Sequence, residues 1–442
     1  MYLTTKVQQT QQKHEVDLSI LRNLCYHAAR LYNVGLYSVR QHYFNTQSYL
    51  SYYSNYNLTK TNEHYQILLT DASQQILRLV DRDMQSFFKL LTLKKSGKYS
   101  EKINLPHYKP VDGLMSLAIQ GRSCRIQKDG KVAIGLTKEF RNKYNISERR
   151  ILFTIPKNIK YVTEFKEIRI IPEYNGKQYS IEFIYESGKV TEPIVDNNNY
   201  MSIDLGVNNL AACTVFSNGK SHQFLIDGKR LKSINYYYNK KVAGLKSIYD
   251  TDKNIDSIIT KRMLRLMNGR KNRINDYFNK SVKYIIRECV ANNVGTLVIG
   301  YNKGQVNEIN IGHVNNQNTV MIPLHLFREK LKYQCELNGI KYCPQEESYT
   351  SKASAVNGDE IPVYGDSNAH VFSGIRCERG LYKNKPDNTV INADINGSVN
   401  ILRKYLKSKS KTVNANDVRA FVNMPCPRIS SWSKAHKSLV YG

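Results

Sequence analysis

No stretch of this 442-residue sequence reaches the ~18 consecutive apolar residues a membrane-spanning helix needs, which excludes a helical membrane span. The opening segment, MYLTTKVQQTQQKHEVD, lacks the apolar core of a signal peptide, so a cytoplasmic protein is expected. Paired cysteines are also missing. The eight cysteines (25, 124, 213, 289, 335, 343, 377 and 426) stand singly, and no CxxC occurs. That spacing argues for reduced thiols and against a disulfide framework or a four-cysteine zinc site. Acidic residues are scarce: 37 Asp and Glu against 65 Lys and Arg, a net charge of +28. Such an excess is more than solubility needs and points to an acidic partner, of which nucleic acid is the commonest.

What is present is globular. Hydrophobic residues make up 41% of the chain, and its length suits two or three domains. Residues 17–45 place Leu21, Leu24, Ala28, Leu31 and Val39 on one helical face behind Asp17 as a cap. A second helix is expected over 61–92, through Ile76, Val80, Met84, Phe87 and Leu91. From 103 to 187 the hydrophobic period changes to two. There EIRIIPEY and KQYSIEFIYE flank Asn175-Gly176, a hairpin signal with a type I′ turn. With MYLTTKV and RILFTIPK these segments suggest a small β-barrel into which the helices are inserted.

The second half reads as three strands (200–227), a long helical stretch (229–294), the strand GTLVIG (295–300), a helix (323–338), the strand IKYC (340–343) and a last helix (394–406). That order is the RNase H-like one, a mixed sheet wrapped by helices. Between 228 and 290 there are 16 Lys and Arg against 5 Asp and Glu, so the basic excess concentrates on the helical stretch.

Three carboxylate positions draw attention. Asp204 interrupts the apolar strand MSIDLGV, where an unpaired charge would cost several kcal/mol to bury. Asp394 opens the last helix, either as its N-cap or as a site carboxylate beside Asp204. Two carboxylates so placed repel unless divalent metal lies between them, and two Mg²⁺ ions would activate water for phosphodiester hydrolysis. Glu346 and Glu347, in QEESYTSKAS, stand where the fifth strand ends; alternation sends only one of them to the shared edge.

The segments IDLGVNNLA (203–211), GTLVIGYNKG (295–304), EESYTSKAS (346–354) and NADINGSVNILRK (392–404) follow in the order and spacing of the TnpB (OrfB) family. The chain resembles that family of transposon-encoded RNA-guided DNA endonucleases, relatives of type V CRISPR effectors, over nearly its whole length. The resemblance implies an RNase H-like RuvC nuclease domain (200–350 and 392–408) after an N-terminal β-barrel, or wedge, domain (1–16 and 93–190). A helical recognition insert (17–92) would interrupt the barrel, and 409–442 would be a disordered tail. It also implies a noncoding guide RNA, a double-stranded DNA target, a monomer or dimer on the RNA, and a nucleoid-associated, prokaryotic setting.

Two departures bear on the chemistry. The family's second carboxylate is a Glu ending the fourth strand, where this chain has Gly300 and Tyr301. A relocated carboxylate is expected from Glu347, with Glu346 as the alternative, giving Asp204, Glu347 and Asp394 as the Mg²⁺ ligands. The family's four-cysteine zinc knuckle is reduced to Cys377 within a degenerate insert (351–391), so no zinc is expected. Arg376 and Arg379 in that insert are candidate contacts to a phosphate of the cut strand. Two rivals stand beside the nuclease reading: a nuclease-dead RNA-guided DNA-binding protein, and an RNA-independent RNase H-like transposase.

Overall fold

The computed structural model describes residues 2–10, 13–186, 192, 197–249, 259–301, 322–363, 365, 370–378, 380–410 and 426–429. The chain divides into two compact units, Met1–Lys189 and Val190–Gly442.

In the first unit, β1 (Tyr2–Thr10) is followed by helices α1 (Leu18–Thr46), α2 (Tyr52–Thr59), α3 (Glu63–Ile67) and α4 (Thr70–Lys95). The Asp17 carboxylate accepts from the Ser19 N–H and caps α1, and Leu21, Leu24, Ala28, Leu31 and Val39 are all buried. The second helix expected from the sequence is broken in two, because Leu68 and Leu69 take extended backbone between α3 and α4. The tyrosine-rich run 52–59 is the helix α2, capped by Ser51.

After the helices come β2 (Leu117–Gln120), β3 (Cys124–Ile126), β4 (Lys131–Gly135), α5 (Lys138–Tyr144), β5 (Arg150–Thr154), β6 (Glu167–Glu173) and β7 (Gln178–Glu186). They form two separate antiparallel sheets, β1-β7-β6-β2 and β3-β4-β5. The β6–β7 hairpin is present, but its loop is longer than a two-residue turn. Glu173 pairs with Gln178, and Tyr174, Asn175 and Gly176 all take positive φ.

The second unit is built on β8 (Tyr200–Leu205), β9 (Asn209–Ser217), β10 (Lys220–Asp227), α6 (Lys229–Tyr249), α7 (Lys261–Ala291), β11 (Thr296–Tyr301), α8 (Leu324–Leu337) and β12 (Lys341–Glu346). A small antiparallel sheet follows, β13 (Gly374–Glu378), β14 (Leu381–Asn384) and β15 (Val390–Asn392), then α9 (Ala393–Lys407) and β16 (Arg428–Ile429). The main sheet runs β12-β11-β8-β9-β10-β16. Strands β8, β11 and β12 are mutually parallel, β9 is antiparallel to β8 and β10, and β16 adds parallel to β10. Numbered from β8, that is the 3-2-1-4-5 arrangement expected for an RNase H-like sheet, extended by one short edge strand. Within the segment expected to be a disordered tail, Arg428 and Ile429 are that edge strand.

Strand alternation sets which side chains meet which helix. Met201, Ile203, Leu297 and Ile299 join Phe278, Ile285, Phe327 and Leu331 in one buried layer with α7 and α8. Tyr200 and Val298 face the other way, onto Ile401, Leu402 and Tyr405 of α9. By the same alternation Asp204 and Gly300 belong to the α9 side.

Candidate active site

The C-terminal ends of three parallel strands meet at one edge of the main sheet. Ile203 lies opposite Ile299, so Asp204 and Gly300 are level, and Gly300 in turn lies opposite Gln345 near the end of β12. Helix α9 crosses this edge. At Gly397 a Cβ would stand 2.4 Å from Asp204 Oδ2. A Cβ there would displace the Asp204 carboxylate from its present position, so the glycine permits the contact.

Gly300 works in the same manner on the neighbouring strand. A Cβ there would lie 2.3 Å from Glu347 Oε2 and 2.7 Å from Ile401 Cδ1. The Glu347 carboxylate thus fills the space above strand β11 that a side chain at position 300 would otherwise enter. Just past β12 the chain turns: the Thr350 N–H and hydroxyl both donate to the Glu347 carbonyl, and Tyr349 has a φ of 65°. Glu346, the alternative, points elsewhere. Its carboxylate accepts from the Ser348 N–H (2.6 Å) and from Lys404 Nζ on α9. Partial burial raises the Glu346 pKa, but these donors outweigh it and hold the carboxyl below its ordinary value.

Asp394 lies in the first turn of α9 but is not its cap. The Asn392 side chain accepts from the N–H groups of Asp394 and Ile395 and fills that role. The Asp394 carboxylate is left facing the site, where Oδ2 accepts from Asn209 Nδ2 (2.8 Å) and Oδ1 from Arg376 (3.3 Å). Burial pushes the Asp204 carboxyl well above its ordinary range, the negative charges of Glu347 and Asp394 push it further, and Arg376 opposes them. Asp204, Glu347, Asp394 and Arg376 are therefore one electrostatic cluster. Arg379 lies outside the described residues.

Three hard oxygen donors that repel one another, in space opened by two glycines, suit a divalent cation such as Mg²⁺ in donor chemistry and charge. As the side chains stand, no three His, Cys, Asp or Glu groups among the described residues converge tightly enough to grip an ion. Arg376 and Asn209 instead neutralise and hold Asp394.

The rest of the last motif supports this edge. On α9, Asn396 exchanges bonds with Ala353 and Ala355, Asn400 donates to the carbonyls of Thr350 and Ala353, and Ser398 donates to Ser202. These buried polar groups lock the helix to β8 and to the 350–359 loop. In the insert, Asp359 accepts from Ser354 and Ser373, and Ser354 bonds Asn384. Cys377 is exposed on β13, at a register shift. Sequence reasoning missed Asn209 as a partner of Asp394 and Asn392 as the cap; the two adjacent asparagines of VNN and the Asn-Ala-Asp spacing were the available signals.

Family models match both halves of this edge. The model for OrfB_IS605, a probable transposase, matches residues 182–306, and the model for the Cas12f1-like TNB domain matches 325–401. The first span contains Asp204 and Gly300; the second contains Glu347, Arg376 and Asp394. A TnpB-like protein (ORF457) of Acidianus two-tailed virus is 24% identical over 414 residues, covering 87% of this chain and 83% of its own. The sequence is similar to that TnpB-like protein over most of both chains. Solved structures resembling this chain include a Cas12f1–sgRNA–target DNA complex at 15% identity, covering 90% of this chain and 98% of that one, with a TM-score of 0.31. Another is the mini-RNA-guided endonuclease CRISPR-Cas_phi3, at 10% identity over 91% and 92% of the two chains, with a TM-score of 0.42.

Proposed function

We propose that this chain is an RNA-guided DNA endonuclease of the TnpB type, using Mg²⁺ and a RuvC-like centre formed by Asp204, Glu347 and Asp394. The first unit would be the wedge with its helical recognition insert, and a guide RNA and a double-stranded DNA target would be the partners. The observation that carries the reading is the Glu347 carboxylate above Gly300. A position that lacks its own acid is filled by one from the turn after the adjacent strand, beside Asp204.

Asp204, Glu347 and Asp394 would hold the ions, which when bound supply an activated water and charge stabilisation for the leaving oxygen. The chain's own residues do the rest. Asn209 orients the Asp394 carboxylate from β9. Arg376, half-exposed beside Asp394, offsets its negative charge, and its guanidinium would be available to a phosphate of the cut strand were that charge held by metal instead. Gly300 leaves room for the Glu347 carboxylate, and Gly397 for that of Asp204.

The nuclease-dead alternative draws on a specific observation, the occupation of both Asp394 oxygens by Arg376 and Asn209. Cleavage of a guide-matched duplex in Mg²⁺ by wild type, Glu346→Gln and Glu347→Gln separates the readings. Loss of cutting in Glu347→Gln by at least ~100-fold, with Glu346→Gln retaining measurable activity, is the expected result. A wild-type protein that binds its target and never cuts would establish the nuclease-dead alternative.

A further inference from the structure

One face of α9 presents Asp394, Gly397, Ile401 and Lys404, spaced 3, 4 and 3 residues apart and therefore aligned along a single stripe. Asp394 is a site carboxylate, Gly397 admits Asp204, and Ile401 forms the apolar wall beside Gly300 and Glu347. The fourth residue has no part in the proposed chemistry. Lys404 Nζ nonetheless donates to the Glu346 carboxylate, to the Ser348 carbonyl (3.1 Å) and to the Pro362 carbonyl (3.1 Å). All three ammonium hydrogens find acceptors, and only 9% of the side chain is exposed. A lysine so enclosed and so fully bonded holds its neighbours in fixed positions, unlike a solvated surface cation.

Its neighbours flank Glu347 on both sides. Glu346 precedes it and Ser348 follows it, and Glu346 is bonded a second time by the Ser348 N–H. Lys404 and Glu346 therefore close a ring of bonds around the single residue between them.

We propose that Lys404 is a positioning residue which, through Glu346 and the Ser348 carbonyl, fixes the turn after β12 so that the Glu347 carboxylate stands above Gly300. The inference rests on the reading of Glu347 as a metal ligand. It gives the adjacent glutamates different tasks: Glu347 meets the ion, and Glu346 anchors the turn to the same helix that supplies Asp394. A carboxylate delivered from a turn has more freedom than one delivered from a strand, and the lysine removes that freedom. Its loss should act as a supporting-shell defect does, weakening metal affinity by about 10- to 100-fold.

The test is Mn²⁺ binding by the full-length chain, freed of nucleic acid at high salt and followed by electron paramagnetic resonance. Lys404→Met keeps most of the apolar stem and removes the ammonium. It should weaken Mn²⁺ binding by about tenfold or more, and in a Glu347→Gln background it should weaken it no further, since one residue acts through the other. In cleavage assays the Mg²⁺ concentration for half-maximal rate should rise, with much of the maximal rate recovered at high Mg²⁺. Wild-type Mn²⁺ affinity in Lys404→Met alongside weakened affinity in Glu347→Gln would overturn the positioning role and leave the Glu347 assignment intact. A loss that adds in full to that of Glu347→Gln would also overturn it. Undiminished affinity in Glu347→Gln would remove the relocated carboxylate itself, and the clamp with it. Should Lys404→Met not fold, Glu346→Gln takes its place in the same cycle, with the same outcomes deciding.

Discussion

Asp204 is held on β8 where partial burial and two neighbouring carboxylates all favour its protonated form. In the metal-free protein its folded pKa is raised, so the folded state holds a proton more tightly than the unfolded one. The stability this residue contributes is then fully present below its ordinary value of ~4 and is lost as pH rises through the raised value. Asp204→Asn removes the ionisation. At neutral pH the metal-free variant should melt no lower than wild type, and about 2–4 °C higher for each ~1 kcal/mol of repulsion relieved. Wild type should gain thermal stability with added Mg²⁺, and the variant should lose that gain together with cleavage. Calorimetry at pH 7 with and without Mg²⁺ reads both effects. A variant that melts well below wild type without metal would make Asp204 a packing residue rather than a strained acid.

At the scale of elements, the sheet edge was legible because its code is local. Successive side chains of MSID and of LVIG point to opposite faces, and the pairing of Ile203 with Ile299 then puts Asp204 and Gly300 on one side. The order of strands and helices in the second unit followed from hydrophobic period and turn residues in the same way. What escaped were features decided by distant partners. The expected 61–92 helix is interrupted at Leu68, buried in the core of the first unit, and at Leu69, which packs partly buried against that core. Asp394 looked like a cap because cap and first-turn acids share a sequence signal, and only the Asn392 geometry tells them apart. Arg376 meets Asp394 across an insert whose sequence gives no hint of pairing.

The same blindness hid a polar staple in the first unit. His27 on α1 contacts His64 on α3 (Nδ1 to Nδ1, 2.8 Å) and Tyr144 on α5 (2.7 Å). Burial first, then the charges of His64 and Lys143, lower the His27 pKa to about 4. A depressed histidine gives stability that is present above its unfolded value near ~6.5 and lost as pH falls toward the folded one. At about 1.4 kcal/mol per pH unit the full effect is on the order of 3 kcal/mol. The stability of the wild-type chain should therefore fall as pH drops from ~6.5 toward about 4, and His27→Gln should flatten that dependence. Equal pH profiles for the two proteins would show that His27 keeps an ordinary pKa.

For the whole molecule the dominant physical fact is the net charge of +28, and its distribution ties it to the fold. Lys229–Tyr249 and Lys261–Ala291 are long helices with basic residues spread along them, and Tyr236 and Tyr237 are exposed on the first. Lys241 lies over the Tyr237 ring, and Arg270 lies over Tyr238 and bonds Asn235. Basic groups interleaved with accessible aromatic rings can meet both backbone phosphates and unstacked bases. A chain that only cut DNA as a transposase would need such a surface for duplex alone, whereas an RNA-guided nuclease should retain a structured RNA through purification. The RNA-guided reading therefore predicts copurifying RNA of defined sequence, with affinity falling steeply with salt. Each neutralised phosphate contributes about −0.7 to −0.9 to the slope of log K against log salt, so a footprint of ~8 phosphates gives a slope near −6. Sequencing the bound RNA and titrating salt by filter binding measure the two quantities. Material that carries no RNA at low salt, or that binds arbitrary duplex DNA as tightly as any RNA, would favour the RNA-independent transposase.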